Sequence, residues 1–199
     1  MIKNLTLTTN INNAENMASL IRERRSIRRF ETHPVSTQQI TELLQLSIQS
    51  PALDQQEAAC RFILVSSPEG KESLAAGIIA SFSEHGLYRR MPNKLKQMFI
   101  KRTAQIPAFL VAIQKGSTKE SIKNYAAICA ILQSFSLLAW DHQLGTVWNT
   151  EPYIYNKLFT DKLDLNEQEQ VVCIMYVGKW KKMPNSKHRT AIKEKLTFK

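Results

Sequence analysis

The 199-residue chain predicts a mixed α/β domain, richer in helix than in strand. Three observations carry this. Phe62–Val65, Pro107–Ile113 and Val171–Val177 are short apolar runs with the length and composition of buried strands. Longer segments between them place apolar residues at helical spacing, most clearly Ile40, Leu43, Leu44 and Ile48. Hydrophobic residues make up 43% and charged residues 22%, a globular balance that excludes a disordered or fibrous chain. The length favours one domain with a sizeable core.

The elements follow in order. Residues 1–13, rich in Asn and Thr, read as a flexible N-terminal lead-in, and 14–199 as the single domain. A first helix is expected over about 14–24. Ser36 can cap a second, with Gln39 three residues later as in a capping box, and Ser50-Pro51 stops it. Ser67-Pro68-Glu69 opens a helical stretch reaching about Arg102, broken near His85-Gly86. Residues 118–143 form the longest helix, apolar almost all round and therefore central. Leu144-Gly145 ends it, glycine being the usual residue just past a helix. Thr146–Trp148 reads as a short strand and Pro152–Phe159 as a small helix. The tail from Lys179 is basic and irregular. With so few strands the sheet is small, and helices must cover it.

Composition narrows the chemistry. The net charge of +10 suits anionic partners: nucleic acid, phosphorylated cofactors or acidic lipid. Cys60, Cys129 and Cys173 form no C-x-x-C pair, and their odd number excludes a complete disulfide framework. His33, His85, His142 and His188 lack ligand spacing, so no metal site is expected. The N-terminus has no signal-peptide apolar core. Tyr125–Trp140, the most apolar stretch, is interrupted by Gln133, Ser134 and Ser136 and reads as too short to span a membrane. A cytoplasmic protein is the expectation.

The sharpest motif is Arg24-Arg25-Ser26-Ile27-Arg28-Arg29-Phe30. Guanidinium forks match phosphate oxygens, and serine adds a compact hydroxyl donor. Such a cluster at a helix end can clamp a phosphate monoester; a solvated basic face or a nucleic-acid patch has the same composition. Lys94, Lys96, Lys101 and Arg102 form a second basic cluster, and Lys187, His188 and Arg189 belong to a third in the tail. Trp148-Asn149-Thr150 offers an aromatic edge and hydrogen-bonding groups to a planar ligand, although a core tryptophan is the commoner use. Dinucleotide-binding, phosphate-loop, nucleophile-elbow and zinc-protease motifs are absent. No side chain stands out as catalytic, which fits a protein whose cofactor is the reactive group.

The arginine segment resembles the R-R-S-x-R-x-F signature of the FMN-dependent nitroreductases. Four further features agree in order: residues 35–50 with their Ser-Pro stop, Arg61–Val65, 124–144 followed by Gly-Thr-Val-Trp, and Tyr176-Val-Gly178 before the basic tail. The resemblance covers roughly residues 15–190. It implies a nitroreductase-like fold, a small central mixed sheet covered by helices, in an intertwined homodimer with FMN at the subunit interface. Arg24, Ser26 and Arg28 would hold the FMN phosphate and ribityl chain, with Arg25 beside them. Trp148, Asn149 and Thr150 match the segment lying along the flavin, and Arg189 with Lys187 the tail position that completes the phosphate site. Arg102 matches the basic residue near the flavin pyrimidine edge. Gln49 and Leu53 fall where the partner subunit approaches the ring.

The activity implied is transfer of electrons from NADH or NADPH through FMN to nitroaromatic, quinone or similar small acceptors. Two departures touch the flavin side. Family members often carry Q-P-W-x-F before the first strand, where this chain has Ala58-Ala59-Cys60-Arg61-Phe62. They also often have Arg or Lys after the tryptophan, where this chain has Asn149. A flavin-binding protein with altered or lost reductase activity is therefore one alternative. A basic nucleic-acid-binding module is another, opposed by the lack of aromatics interleaved with the basic clusters.

Overall fold

A computed structural model describes residues 7–49, 60–83, 89–116, 118–185 and 191–198. Four strands form one sheet in the order β1-β2-β4-β3: β1 (Cys60–Val65), β2 (Ala108–Lys115), β3 (Gly145–Asn149) and β4 (Glu169–Gly178). All three pairings are antiparallel. The mixed pairing expected for the sheet reduces, among the described residues, to one isolated parallel bridge between Ser26 and Thr146.

β2 lies at the centre and is buried along all but its last residue. This explains why its sequence is a continuous apolar run rather than an alternating one: both faces are covered. Ala108, Leu110 and Ala112 pack with Ile128, Leu132 and Phe135 of helix α5 (Thr118–Asp141). Ile40 and Leu43 of α2 (Thr37–Ile48) join the same layer. Phe109, Val111 and Ile113 face the other way, onto Leu74 and Ile78 of α3 (Pro68–Ser83) and onto Phe159. The sheet is thus sandwiched between helices, which is the predicted class.

Several boundaries differ from expectation. The first helix, α1, runs Leu7–Glu23, so helix already covers residues 7–13 of the expected lead-in. The α3 helix is followed by α4 (Asn93–Ala104); His85 and Gly86, where a break was expected, lie outside the described residues, as does Ser50-Pro51. The Ser36 cap is present, its hydroxyl accepting from the Gln39 N–H at 3.2 Å. The small helix at 152–159 is two pieces, a 3-10 turn Pro152–Tyr155 and α6 (Lys157–Thr160). Asn156 divides them, because its extended backbone breaks the turn while its side chain caps the Leu158 N–H at 2.8 Å.

Two corrections concern α5. It contains a stretch, Ile122–Asp141, that is long and apolar enough to cross a membrane, contrary to the shorter reading. Ser136, one of the polar residues within it, is accommodated there: its hydroxyl donates to the Leu132 carbonyl one turn back at 2.8 Å and is fully buried. This is the core helix of the domain. The helix also ends on Gln143, in the left-handed region at φ 58°, with Leu144 N–H donating to Ala139 O at 2.7 Å. Gly145 is therefore not the cap, and its role lies elsewhere.

Candidate functional site

The arginine segment leaves α1 and crosses the end of the sheet. Arg25 closes the helix: its Nη1 donates to the carbonyls of Arg22 at 2.5 Å and Glu23 at 2.7 Å, groups with no partner inside the helix. Ser26 then bridges Thr146 on the free edge of β3, and the Ile27 N–H donates to Thr146 O at 3.0 Å. Further on, Phe30 bridges Trp180 and the Glu31 N–H donates to Lys179 O at 2.9 Å. Each contact carries an apolar side chain against a glycine, Ile27 buried and Phe30 half-buried. Ile27 is 1% exposed and presses on Gly145; Phe30 presses on Gly178. These glycines face each other across β3 and β4. A methyl group at Gly145 would collide with the Ile27 side chain, and one at Gly178 would lie 2.7 Å from Pro107 Cγ and 3.0 Å from Phe30 Cδ1. The two glycines let the backbone segment dock, and Arg28 and Arg29, between Ile27 and Phe30, are left exposed. Trp180 adds a brace by stacking parallel on Trp140 at 4.8 Å.

Trp148, Asn149 and Thr150 sit at the end of β3, and each of the first two is anchored. The Trp148 indole N–H donates to Ser136 Oγ at 3.2 Å. Asn149 Nδ2 donates to the Tyr176 hydroxyl at 3.1 Å, while its Oδ1 accepts from the Glu151 N–H at 3.1 Å. The Tyr176 and Tyr153 hydroxyls share a hydrogen bond of 3.0 Å. Burial raises the pKa of both phenols, so they stay protonated and neutral at ordinary pH. The rings are held edge-on, Tyr176 by Phe109 at 5.2 Å and Tyr153 by Phe82 at 5.4 Å. The result is a fixed, uncharged hydrogen-bonding wall.

Two cavities lie here with wall residues in common. One, of about 360 Å³, is lined by Arg28, Ile106, Trp148, Asn149, Thr150 and Tyr176, among others. The other, of about 330 Å³, contains Arg28, Arg29, Arg102, Phe99 and Ile106 in its wall. They share Arg28 and Ile106. Of the residues singled out in the sequence, Arg28, Trp148, Asn149 and Thr150 therefore come together, with Arg102 in the adjoining space. Arg24, Arg25 and Ser26 line neither cavity, although they precede Arg28 directly. Gln49 closes α2, its N–H donating to Leu46 O at 3.2 Å, and lines neither cavity. Leu53, Lys187 and Arg189 lie outside the described residues, as do Ala58 and Ala59.

Tyr176, Tyr153, Ile106 and the Gly145–Gly178 pair were not picked out as site residues. The only available signal was a polar-tipped Tyr176 inside an apolar strand; its pairing with Val147 is set by strand register. A larger cavity of about 550 Å³ lies away from the arginine segment, with Asp161, Asp164, Asn166 and Glu169 in its wall. It offers no better site, because its buried Glu169 already holds Arg61 through two 2.7 Å hydrogen bonds. Burial raises the Cys60 pKa and pushes that of Cys173 up to about 12, which keeps both as unreactive thiols.

The fold is an α+β sandwich in which exposed guanidinium groups, an anchored indole and neutral hydrogen-bonding groups line two cavities that share Arg28 and Ile106. The chain matches the model of the Nitroreductase family over residues 21–179, and it belongs to that family. It is 31% identical over 183 residues to YfhC of Bacillus subtilis (strain 168), a protein provisionally named as an NAD(P)H nitroreductase; the match covers 91% of this chain and 93% of that one. The structure of a nitroreductase-like family protein from Bacillus cereus is similar with a TM-score of 0.80 and 30% identity, covering 92% of this chain and 95% of that one. The FMN-dependent nitroreductase NfnB of Mycobacterium smegmatis, solved in complex with NADPH, has the same fold at a TM-score of 0.70 and 13% identity, covering 94% and 99% of the two chains.

Proposed function

We propose that this protein is an FMN-dependent oxidoreductase that takes electrons from NADH or NADPH and delivers them to nitroaromatic, quinone or similar small acceptors. The observation that carries the reading is Arg28, which stands at the junction of the two cavities, with the Trp148–Thr150 segment on one side and Arg102 on the other. The donor set fits the cofactor: guanidinium forks suit its phosphate, and neutral amide and hydroxyl groups suit its ring edge. Arg28, with Arg24, Ser26 and the tail residues Lys187 and Arg189, would hold the phosphate and ribityl end. Arg25 supports this arrangement by closing α1. Trp148, Asn149 and Thr150 would lie along the ring. When bound, FMN supplies the hydride- and electron-transfer chemistry. The residues of the chain orient it, and Arg102 adds positive charge on the side where reduction places negative charge.

The reading includes a homodimer, with Gln49 and Leu53 near the partner's approach to the ring. Exposed Met17 and Ile21 on α1, Leu46 and Ile48 on α2, and Ile122 and Tyr125 on α5 support it, since a partner would cover them. A flavin-binding protein with altered chemistry is the second reading. Asn149 favours it, because both ends of its amide are already engaged, by Tyr176 and by Glu151.

An absorption spectrum of the purified protein tests the function. A yellow protein that bleaches on adding NADH or NADPH is the expected result, and a colourless one that ignores added FMN refutes it. Steady-state assays with nitrofurazone and a quinone separate the two readings.

A further inference from the structure

The proposed function makes no use of Tyr176, although this residue lines the cavity beside Trp148 and Asn149. The hydrogen bonds around its hydroxyl have fixed directions. A backbone N–H can only donate, so the Asn149 atom facing the Glu151 N–H is Oδ1. The other end of the amide is then Nδ2, which can only donate, and Tyr176 accepts its bond at 3.1 Å. The 3.0 Å bond between Tyr176 and Tyr153 could run either way by distance alone. Tyr153 decides it. That residue is 4% exposed, and among the described residues its hydroxyl has Tyr176 as its one partner. Donation by Tyr176 would leave the Tyr153 hydrogen buried without an acceptor, whereas donation by Tyr153 satisfies it. Tyr153 is therefore the donor.

Tyr176 Oη thus accepts two bonds, which occupies both of its lone pairs. Its own hydrogen has no acceptor among the described residues, and Tyr176 is partly exposed where it borders the cavity. Burial raises the Tyr176 pKa, and the two accepted bonds oppose that rise without cancelling it, so the proton stays on. Accepting bonds also polarises an O–H and strengthens it as a donor. We infer that the Tyr176 hydroxyl donates a hydrogen bond to an acceptor atom on the edge of the ring bound in the Trp148 cavity, with Tyr153 and Asn149 aiming it. This rests on the flavin reading, which puts the FMN ring there. Such a bond strengthens as the ring gains negative charge, so it favours the reduced form.

Comparison of Tyr176→Phe and Tyr153→Phe with the wild type tests the inference. Each variant keeps its ring and its edge-on contact, with Phe109 for Tyr176 and with Phe82 for Tyr153, so both should fold, and circular dichroism checks this. In fluorescence titrations of the apoprotein, Tyr176→Phe should bind FMN about tenfold more weakly, the scale of one hydrogen bond. Its bound FMN should also have a more negative midpoint potential in a redox titration. Tyr153→Phe should lose less on both counts, because it keeps the donor and removes one of its supports. An unchanged or more positive potential in Tyr176→Phe overturns the inference, since a hydroxyl that only restrained Asn149 would release that N–H towards the ligand. Equal losses in the two variants overturn it as well and leave the pair as a packing brace. A wild-type chain that takes up no FMN refutes the flavin reading and this inference with it, whereas a chain that binds FMN equally well with and without the hydroxyl refutes the inference alone.

Discussion

The contact between Ile27 and Gly145 holds the arginine segment on the sheet, and a double-mutant cycle measures it. Ile27 is 1% exposed, so Ile27→Ala leaves a cavity and should cost about 3 kcal/mol, within the range for buried aliphatic truncations. Gly145→Ala places a methyl group on the Ile27 side chain, with Trp180 Cε3 only 3.0 Å away on another side. Overpacking of this kind costs about 2 kcal/mol. Independent sites would sum to about 5 kcal/mol in the double variant. Here the methyl group introduced by Gly145→Ala occupies part of the space that Ile27→Ala vacates, so the double variant should lose less than the sum by about 1–2 kcal/mol. Urea unfolding of the four proteins, followed by far-ultraviolet circular dichroism, supplies the numbers. Additivity to within about 0.5 kcal/mol, or a Gly145→Ala variant as stable as the wild type, would refute the packing argument. Under the proposed function FMN affinity gives a second reading: Gly145→Ala should weaken it, because the clash with Ile27 falls on the segment that carries Arg28 without touching a guanidinium.

Three further outcomes are expected. Glu169 is buried, and Arg61 holds its carboxyl down to about 2, against an ordinary value near 4.5. Its folded-state pKa is depressed, so its stabilisation is complete above the unfolded value and is lost as pH falls from about 4.5 towards 2; on the order of 3 kcal/mol is at stake. Urea midpoints measured between pH 5 and 2 should fall more steeply for the wild type than for Glu169→Gln, and parallel slopes would contradict the assignment. Thr146 Oγ1 is buried without a hydrogen-bond partner among the described residues, so Thr146→Val should raise stability by about 1 kcal/mol in the same unfolding assay. Tyr176→Phe should cost about 1 kcal/mol, because it releases Asn149 and leaves Tyr153 without its partner. Tyr153→Phe combined with it should then add little, and full additivity would mean that the two hydroxyls act separately.

Local chemistry made much of this protein legible. The apolar runs marked β1, β2 and β4, and the helical spacing of Ile40, Leu43 and Leu44 marked α2, because burial on one or two faces imprints a period on the sequence. The Ser36 cap was readable for the same reason: its bond to Gln39 spans three residues. The arginine segment stood out by composition, although composition alone left a phosphate clamp, a solvated basic face and a nucleic-acid patch open. Where the reading went astray, longer-range contacts decided. Ser136 read only as an interruption of an apolar run, whereas its hydroxyl is satisfied by Leu132 and it anchors Trp148 in turn. Gly145 looked like a helix cap, although the left-handed residue is Gln143 and the glycine makes room for Ile27.

The sequence by itself therefore determined the class of fold, the family resemblance and the basic character of the chain. Those properties depend on residue type and on periodicity over a few turns. Tertiary structure alone decided how the arginines are used. Arg25 turns back onto its own helix, while Arg28 and Arg29 are left exposed between buried Ile27 and half-buried Phe30 and line the cavities. It also placed Tyr176 behind Asn149 and brought Arg102 to the same space as Arg28. The physical reason is register: which side chains meet across β3, β4 and the docked segment depends on pairings between residues up to about 150 positions apart, as between Phe30 and Trp180, and no local pattern encodes them.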